Sequence, residues 1–260
     1  MDGDRTHVVR AENHDEGERR HLKGRGIHPA VLYGALYFVA TATFLLAVSV
    51  ESLPHLRFCF VGNLLPKSML TPDVATVVVL VTMWGVHFVR RFAEVLFLQS
   101  YRRKVAPFVA IMASLLYVVS GFWIGWSLNF FLGYSAPALW ILIPAMLVFA
   151  VGEVGNCLSH IHLERDAVNG TRPSPLHGVV SMSALFHFIS CPHYLFEIVT
   201  WLGFAMAAFT LPAFLFLATN VVMLLARARR RHLQWREDAN SRGDFARYHP
   251  SRKAIIPFVF

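Results

Sequence analysis

Six long apolar segments constrain this chain more than any other feature. They run at about 31–50, 73–99, 106–126, 137–163, 193–210 and 212–228, and most come close to the ~20 residues a helix needs to cross a bilayer core. Backbone in lipid must satisfy its own N–H and C=O groups, so such segments specify helices. The fold class they predict is all-α, a polytopic membrane helix bundle of about six transmembrane helices. Composition agrees: 55% of the residues are hydrophobic and 15% charged, against ~25% charged in an ordinary soluble domain.

The last two segments meet at Leu211-Pro212. Either a tight hairpin or a single kinked helix satisfies that junction, giving six spans or five. Loop charge favours six. Arg19, Arg20, Lys23 and Arg25 precede the first segment, Arg102, Arg103 and Lys104 separate the second from the third, and Arg227, Arg229, Arg230 and Arg231 close the sixth. With six spans all three clusters share one side, which the positive-inside rule makes the cytosol. Both termini are then cytosolic, as are the long connection at 164–192 and the stretch 232–260.

Residues 1–29 are rich in Gly, His and charges of both signs without periodicity, which predicts a disordered cytosolic tail. The membrane domain then occupies 30–260, its first apolar run serving as an uncleaved anchor. The net charge of +8 lies at the ends of apolar segments rather than in a basic stripe, which argues against nucleic acid as a partner. Cys59, Cys157 and Cys191 form no CxxC pair and read as small buried hydrophobes. No obligate protein partner is evident.

Ionisable groups inside spans are costly unless they meet a partner or a cavity, and three groups stand out. In the second segment His87, Arg91, Glu94 and Tyr101 share one helical face, while Arg90 and Arg102 read as snorkelling to the headgroups. In the fourth, Glu153, Asn156, His160 and Glu164 form a stripe toward the cytosol, with His162 off it. The third is Cys191-Pro-His-Tyr-Leu-Phe-Glu197, where Pro192 suits a helix start and His193 and Glu197 lie one turn apart. A buried Glu197 requires a donor or a cation.

No HExxH or comparable ligand spacing is present, so no metal is expected. No GxGxxG follows a strand, which excludes a Rossmann cofactor domain, and no GxSxG elbow supports acyl transfer. A nucleotide would have to be held by the membrane helices and cytosolic segments themselves.

The ending Phe245-Ala-Arg-Tyr-His-Pro-Ser-Arg-Lys-Ala-Ile-Ile-Pro-Phe-Val-Phe260 resembles the C-terminus of the steroid 5-alpha-reductase family, with its proline displaced by one position. Ser190-Cys-Pro-His-Tyr-Leu-Phe-Glu197 resembles that family's cofactor-binding helix start, and His87-Phe-Val-Arg-Arg91 its His-x-x-x-Arg signature. The three occur in the family order over roughly 84–260. Within the family, His193 and His160 make the chain most similar to the polyprenal reductase (polyprenol reductase) branch, where steroid reductases typically carry Asn and Asp. His232-Leu-Gln-Trp235 resembles a His-x-x-Tyr motif with Trp235 in place of the tyrosine. Phe88 replaces a tyrosine that accompanies an early substrate carboxylate in steroid reductases. The family has seven spans, and nothing specific matches before about residue 70.

The resemblance implies an NADPH-dependent oxidoreductase of the endoplasmic reticulum membrane acting on a lipid substrate. Hydride passes from NADPH to the β carbon of an α,β-unsaturated carbonyl, here polyprenal to dolichal, in dolichol synthesis for protein N-glycosylation. It implies cofactor contacts from Arg91, Asn156, His160, His193, Glu197, Tyr248, Arg252 and Lys253, with His87 and Glu94 as the acid–base candidates. Steroid and enoyl-CoA reductases of the same family are the nearest alternatives. A membrane methyltransferase, suggested by Arg247-Tyr-His-Pro250, and a transporter are the more distant ones.

Overall fold

The computed structural model describes residues 28–49, 74–98, 107–130, 136–168, 185–242 and 253–255. Six long helices account for nearly all of them: α1 (Pro29–Ser49), α2 (Val74–Phe97), α3 (Pro107–Phe130), α4 (Leu139–Val168), α5 (Pro192–Ala208) and α6 (Leu211–Arg242). A single helical turn, Leu185–Phe188, precedes α5. Pro29, Pro107, Pro192 and Pro212 each fall in the first two positions of a helix, where the missing N–H costs nothing and the fixed φ suits the helix.

The predicted segments and the helices agree closely at their starts. Two helices run well past their apolar stretches, α4 to Val168 and α6 to Arg242. Both extensions are polar and include Arg, Glu and Ala, good helix formers that need no lipid. The α5–α6 junction is a hairpin. Phe209 takes a left-handed conformation (φ 49°, ψ 39°) and its N–H caps the carbonyl of Ala205. Trp201 and Phe216 then meet with ring centroids 4.7 Å apart, whereas a continuous helix would separate them by about 22 Å at 1.5 Å per residue.

Among the described residues four helical stretches are long and apolar enough to cross a membrane: Pro29–Ser49, Ala75–Phe97, Leu139–Glu164 and Leu211–Glu237. α3 adds a shorter apolar stretch, Ser114–Leu128, and α5 has 17 residues. Large apolar side chains face outward along these helices, including Phe38 (72% exposed), Phe97 (85%) and Trp140 (76%). Apolar surface on this scale is that of a membrane-embedded bundle.

Lipid tails are as apolar as leucine, so close packing must hold such helices together. The most extensive contact joins α4 to α5, followed by α1 to α3, with α2 against α1 and α6 against α5. Glycines permit the two closest approaches. A Cβ on Gly125 would lie 2.8 Å from that of Ala47, and one on Gly121 would lie 3.0 Å from Thr43 Oγ1. On α4, side chains at Gly152 and Gly155 would run into Thr200 and the Phe196 ring; on α5, one at Gly203 would meet the Phe149 backbone.

One aromatic core lies between the helices, centred on Trp84 with Phe44, Phe88, Trp201, Phe204 and Phe216 around it. Trp84 stacks on Phe44 at 4.7 Å and donates its indole N–H to the Ala40 carbonyl. Such aromatic pairs add about 0.5–1.5 kcal/mol each beyond burial. They also form a stiff apolar floor one helical turn from His87.

Candidate active site

Beyond Trp84, α2 turns from apolar to charged within one turn, presenting His87, Arg90, Arg91 and Glu94. His87 is 1% exposed and packs against two rings, Trp201 at 4.5 Å and Phe88 at 4.9 Å. Its Nδ1 is 2.7 Å from Glu153 Oε1 on α4, and its Nε2 is 3.5 Å from Glu197 Oε1 on α5. Arg91 donates to His160 Nε2 on α4 at 3.0 Å and to the Tyr37 hydroxyl on α1 at 3.2 Å. Its guanidinium also stands 5.6 Å from the centre of the Tyr37 ring. Glu94 accepts from both Arg90 and Arg91.

The α4 stripe meets the start of α5 across the glycine seam. Asn156 donates from Nδ2 to the His193 carbonyl at 2.8 Å and to Glu197 Oε2 at 2.9 Å. Trp201 reaches the other oxygen of Glu197 from 3.4 Å, so the donors that a buried Glu197 requires are an amide and an indole. The His160 and His193 rings lie 5.4 Å apart, edge to face. Thus Arg91, Asn156, His160, His193 and Glu197, expected from the sequence to act together, do share one place, and His87 and Glu94 border it.

Two of the remaining expected residues, Tyr248 and Arg252, lie outside the described residues, as do Tyr101, Cys59 and the tail 1–27. Lys253 is described. Its carbonyl accepts from Ser190 N at 2.8 Å, its N–H donates to the Phe188 carbonyl at 2.9 Å, and Ala254 O accepts from Cys191 N at 3.0 Å. This short parallel bridge between Ile189 and Lys253 fastens residues 253–255 to the entrance of α5. Ile255 packs there with Cys191 and Ala228. Burial pushes the Cys191 thiol up to about 12, so it stays an uncharged packing residue. Ser190 Oγ and His232 Nδ1 share a hydrogen bond at 2.9 Å, and Arg231 lies 5.2 Å from the Trp235 ring centre.

One expectation is overturned. Arg90 does not snorkel: its Nε donates to Glu153 Oε2 at 2.5 Å, it also pairs with Glu94, and its side chain is 16% exposed. Two carboxylates within the bundle hold it more strongly than the headgroups, because each would otherwise be a buried charge without a counterion. Tyr37 is a site residue that the sequence barely signals. Its one mark is the Tyr33–Tyr37 pair, a turn apart in an otherwise apolar helix. Glu153 belongs to the expected α4 stripe, but periodicity assigns it no task.

The cluster holds unmet hydrogen-bonding capacity. Both ring nitrogens of His193, Asn156 Oδ1 and Arg90 Nη2 are buried without a hydrogen-bond partner among the described residues. Buried polar atoms are nearly always satisfied, by protein, water or ligand. An imidazole, an amide oxygen and guanidinium N–H groups suit a ligand rich in amide, hydroxyl and phosphate groups, the chemistry of a nicotinamide dinucleotide. Among the described residues no group of three or more His, Cys, Asp or Glu is gathered to hold a metal ion.

Comparison with known proteins gives concordant matches. The family profile described as 3-oxo-5-alpha-steroid 4-dehydrogenase matches residues 103–260, more than half of the chain. A very-long-chain enoyl-CoA reductase of Dictyostelium discoideum is 28% identical over 78% of this chain and 64% of its own length. A probable very-long-chain enoyl-CoA reductase of Caenorhabditis elegans is 26% identical over 68% of this chain and 56% of its own. The mouse 3-oxo-5-alpha-steroid 4-dehydrogenase 1 is 29% identical over 70% and 68%. The chain therefore spans only about three-fifths of the length of the two enoyl-CoA reductases.

Proposed function

Because the chain belongs to the steroid 5-alpha-reductase family, we propose that it is an NADPH-dependent reductase of a carbon–carbon double bond conjugated to a carbonyl in a membrane lipid. The observation that carries the reading is the meeting of Arg91, Asn156, His160, His193 and Glu197 at one buried place with polar atoms still to be satisfied.

In this reading Asn156, His160, His193 and Glu197 hold the nicotinamide–ribose half, and Arg91 binds phosphate, as a guanidinium does through two parallel bonds. Tyr248, Arg252 and Lys253 follow from the resemblance of the C-terminal segment, and the Ile189–Lys253 bridge keeps Lys253 beside the α5 entrance. Bound NADPH supplies the hydride. The chain's own task is to stabilise the charge that develops on the carbonyl oxygen and to deliver a proton in surroundings poor in water, where preorganised dipoles count most. Of the two acid–base candidates, His87 takes the acid's part. Glu94, engaged by both Arg90 and Arg91, holds those guanidiniums in place.

For the substrate we favour a polyprenal, reduced to dolichal in the endoplasmic reticulum membrane for dolichol synthesis and protein N-glycosylation, with the C-terminus in the cytosol. His160 and His193 support it by resemblance to the polyprenoid branch. An enoyl thioester is the second reading, favoured by the likeness to the two very-long-chain enoyl-CoA reductases. The test is purified protein with NADPH and, in parallel, a polyprenal, an enone steroid and an enoyl-CoA, following loss of the reduced-nicotinamide absorbance. Polyprenal-dependent oxidation is expected; turnover with the thioester alone would move the assignment to the second reading. Glu197→Gln should lower turnover by at least about 100-fold, the order expected when an active site is deprived of one preorganised electrostatic interaction, in a protein that still purifies as a folded species. Wild-type turnover in that variant would remove Glu197 from the cofactor site.

A further inference from the structure

The reductase reading leaves Glu153 without a task, although it is a carboxylate 6% exposed in the middle of a membrane-spanning helix. We propose that Glu153 is a positioning residue for His87: the two form a carboxylate–imidazole dyad that keeps one proton on Nδ1 and makes Nε2 the atom that gives up a proton in the reaction.

Geometry carries the inference. A carboxylate can only accept, so the 2.7 Å contact between His87 Nδ1 and Glu153 Oε1 places the hydrogen on Nδ1. Glu153 is itself held, because Arg90 Nε occupies its second oxygen at 2.5 Å. The Trp201 and Phe88 rings pack against the imidazole on two adjacent sides. Nε2 then faces the side of Glu197, Asn156 and His193, and its 3.5 Å separation from Glu197 Oε1 exceeds a normal N–H···O bond. A proton there is near the cofactor-side cluster without being tied to it.

Charge balance points the same way. The groups around His87 are Glu153 on α4, Glu197 on α5, and Arg90, Arg91 and Glu94 on its own helix, with the Tyr37 hydroxyl of α1 behind Arg91. Two guanidiniums against three carboxylates leave one negative charge, and a proton on His87 cancels it. Leaving such a charge unbalanced among buried groups is costly.

The dyad rests on the reductase reading for its chemistry. As hydride from the nicotinamide donor reaches the β carbon, the double-bond electrons pass toward the carbonyl to give an enolate. The enolate's electron pair takes the Nε2 proton at the α carbon, and the N–H bonding pair remains on Nε2. His87 is left neutral with Nδ1–H still on Glu153, and a proton from water restores the imidazolium. One hydride and one proton enter the substrate, which is the full reduction of the double bond.

The test combines spectroscopy with kinetics. Full-length protein in detergent micelles, labelled with ring-15N histidine and assigned by comparison with His87→Gln, should show the Nδ1–H tautomer for His87 once the pH is raised until its ring is neutral. A neutral His87 protonated on Nε2 overturns the dyad, and this measurement needs neither activity nor a Glu153 variant. In Glu153→Gln, kcat should fall on the order of 10- to 100-fold, below the full range of general acid catalysis because His87 remains. The KM for NADPH should change less than about 2-fold, since a positioning residue acts on the chemical step. Glu153→Asp, which keeps the charge, should restore part of the rate. An unchanged kcat in Glu153→Gln overturns the proposal. Failure of the wild-type protein to oxidise NADPH with any of the three substrates would instead sink the reductase reading, with the tautomer still deciding the dyad.

Discussion

Between α1 and α3, Gly121 and Gly125 let two helices close on Ala40, Thr43, Phe44 and Ala47; between α4 and α5, Gly152 and Gly155 let two others close on Thr200 and Phe196. The device is the same, small residues that bring backbones together where lipid gives no hydrophobic drive. The residues next to the glycines differ. On α3 Gly121 is followed by Phe122 and Gly125 by Trp126, both apolar rings. On α4 Gly152 is followed by Glu153 and Gly155 by Asn156, and across the seam Phe196 is followed by Glu197. Close approach there carries polar side chains into hydrogen-bonding range of the next helix. A packing seam becomes a chemical one when the neighbours of its glycines are polar.

This contrast can be broken at three places. The largest effect is expected from Gly155→Ala, whose Cβ would overlap the Phe196 ring and push Glu197 away from Asn156. NADPH-dependent turnover by the purified variant should fall by roughly 100-fold, since overpacking of about 1–3 kcal/mol acts here on the site itself. Full turnover would show the α4–α5 seam to be more pliable than its spacing implies. Next is Gly125→Ala on the other seam, where the added methyl would crowd Ala47 Cβ at 2.8 Å and the Phe44 carbonyl at 3.0 Å. Thermal unfolding in detergent should reveal a loss of about 1–3 kcal/mol, while turnover per folded molecule stays at the wild-type level. A catalytic defect with normal stability would erase the distinction between the seams. The smallest effect is expected from Tyr37→Phe, which removes the hydroxyl accepting from Arg91 and keeps the ring under the guanidinium. Removing a hydrogen bond of about 1 kcal/mol corresponds to roughly a 5-fold rise in the KM for NADPH at constant kcat; an unchanged KM would detach α1 from the site.

What is legible in the sequence, and what is not, follows the reach of helical periodicity. Segment hydropathy locates the helices, and Pro212 with the basic clusters points to the hairpin that Phe209 closes. Spacings of three and four place Glu153, Asn156 and His160 on one face, because a turn of helix is a local property. Periodicity says nothing of which helix that face meets. Arg90 therefore reads as a headgroup residue, although Glu153, 63 positions away, turns it inward. Tyr37 escapes notice because its partner Arg91 is 54 positions distant. The extensions of α4 and α6 carry no apolar signal, and the partner of His232 on α6, Ser190, lies 42 positions away.

The bridge between Ile189 and Lys253 has a consequence in time. Its two strands flank α5 and α6 in the sequence, so the pairing cannot form until the chain has been synthesised past both helices. Long-range closures of this kind come late because their entropy must be met before any contact offsets it. The polar end of α5 thus receives this restraint only after α1 to α6 have been made, and a ribosome-bound intermediate would possess those helices before it possessed a finished site.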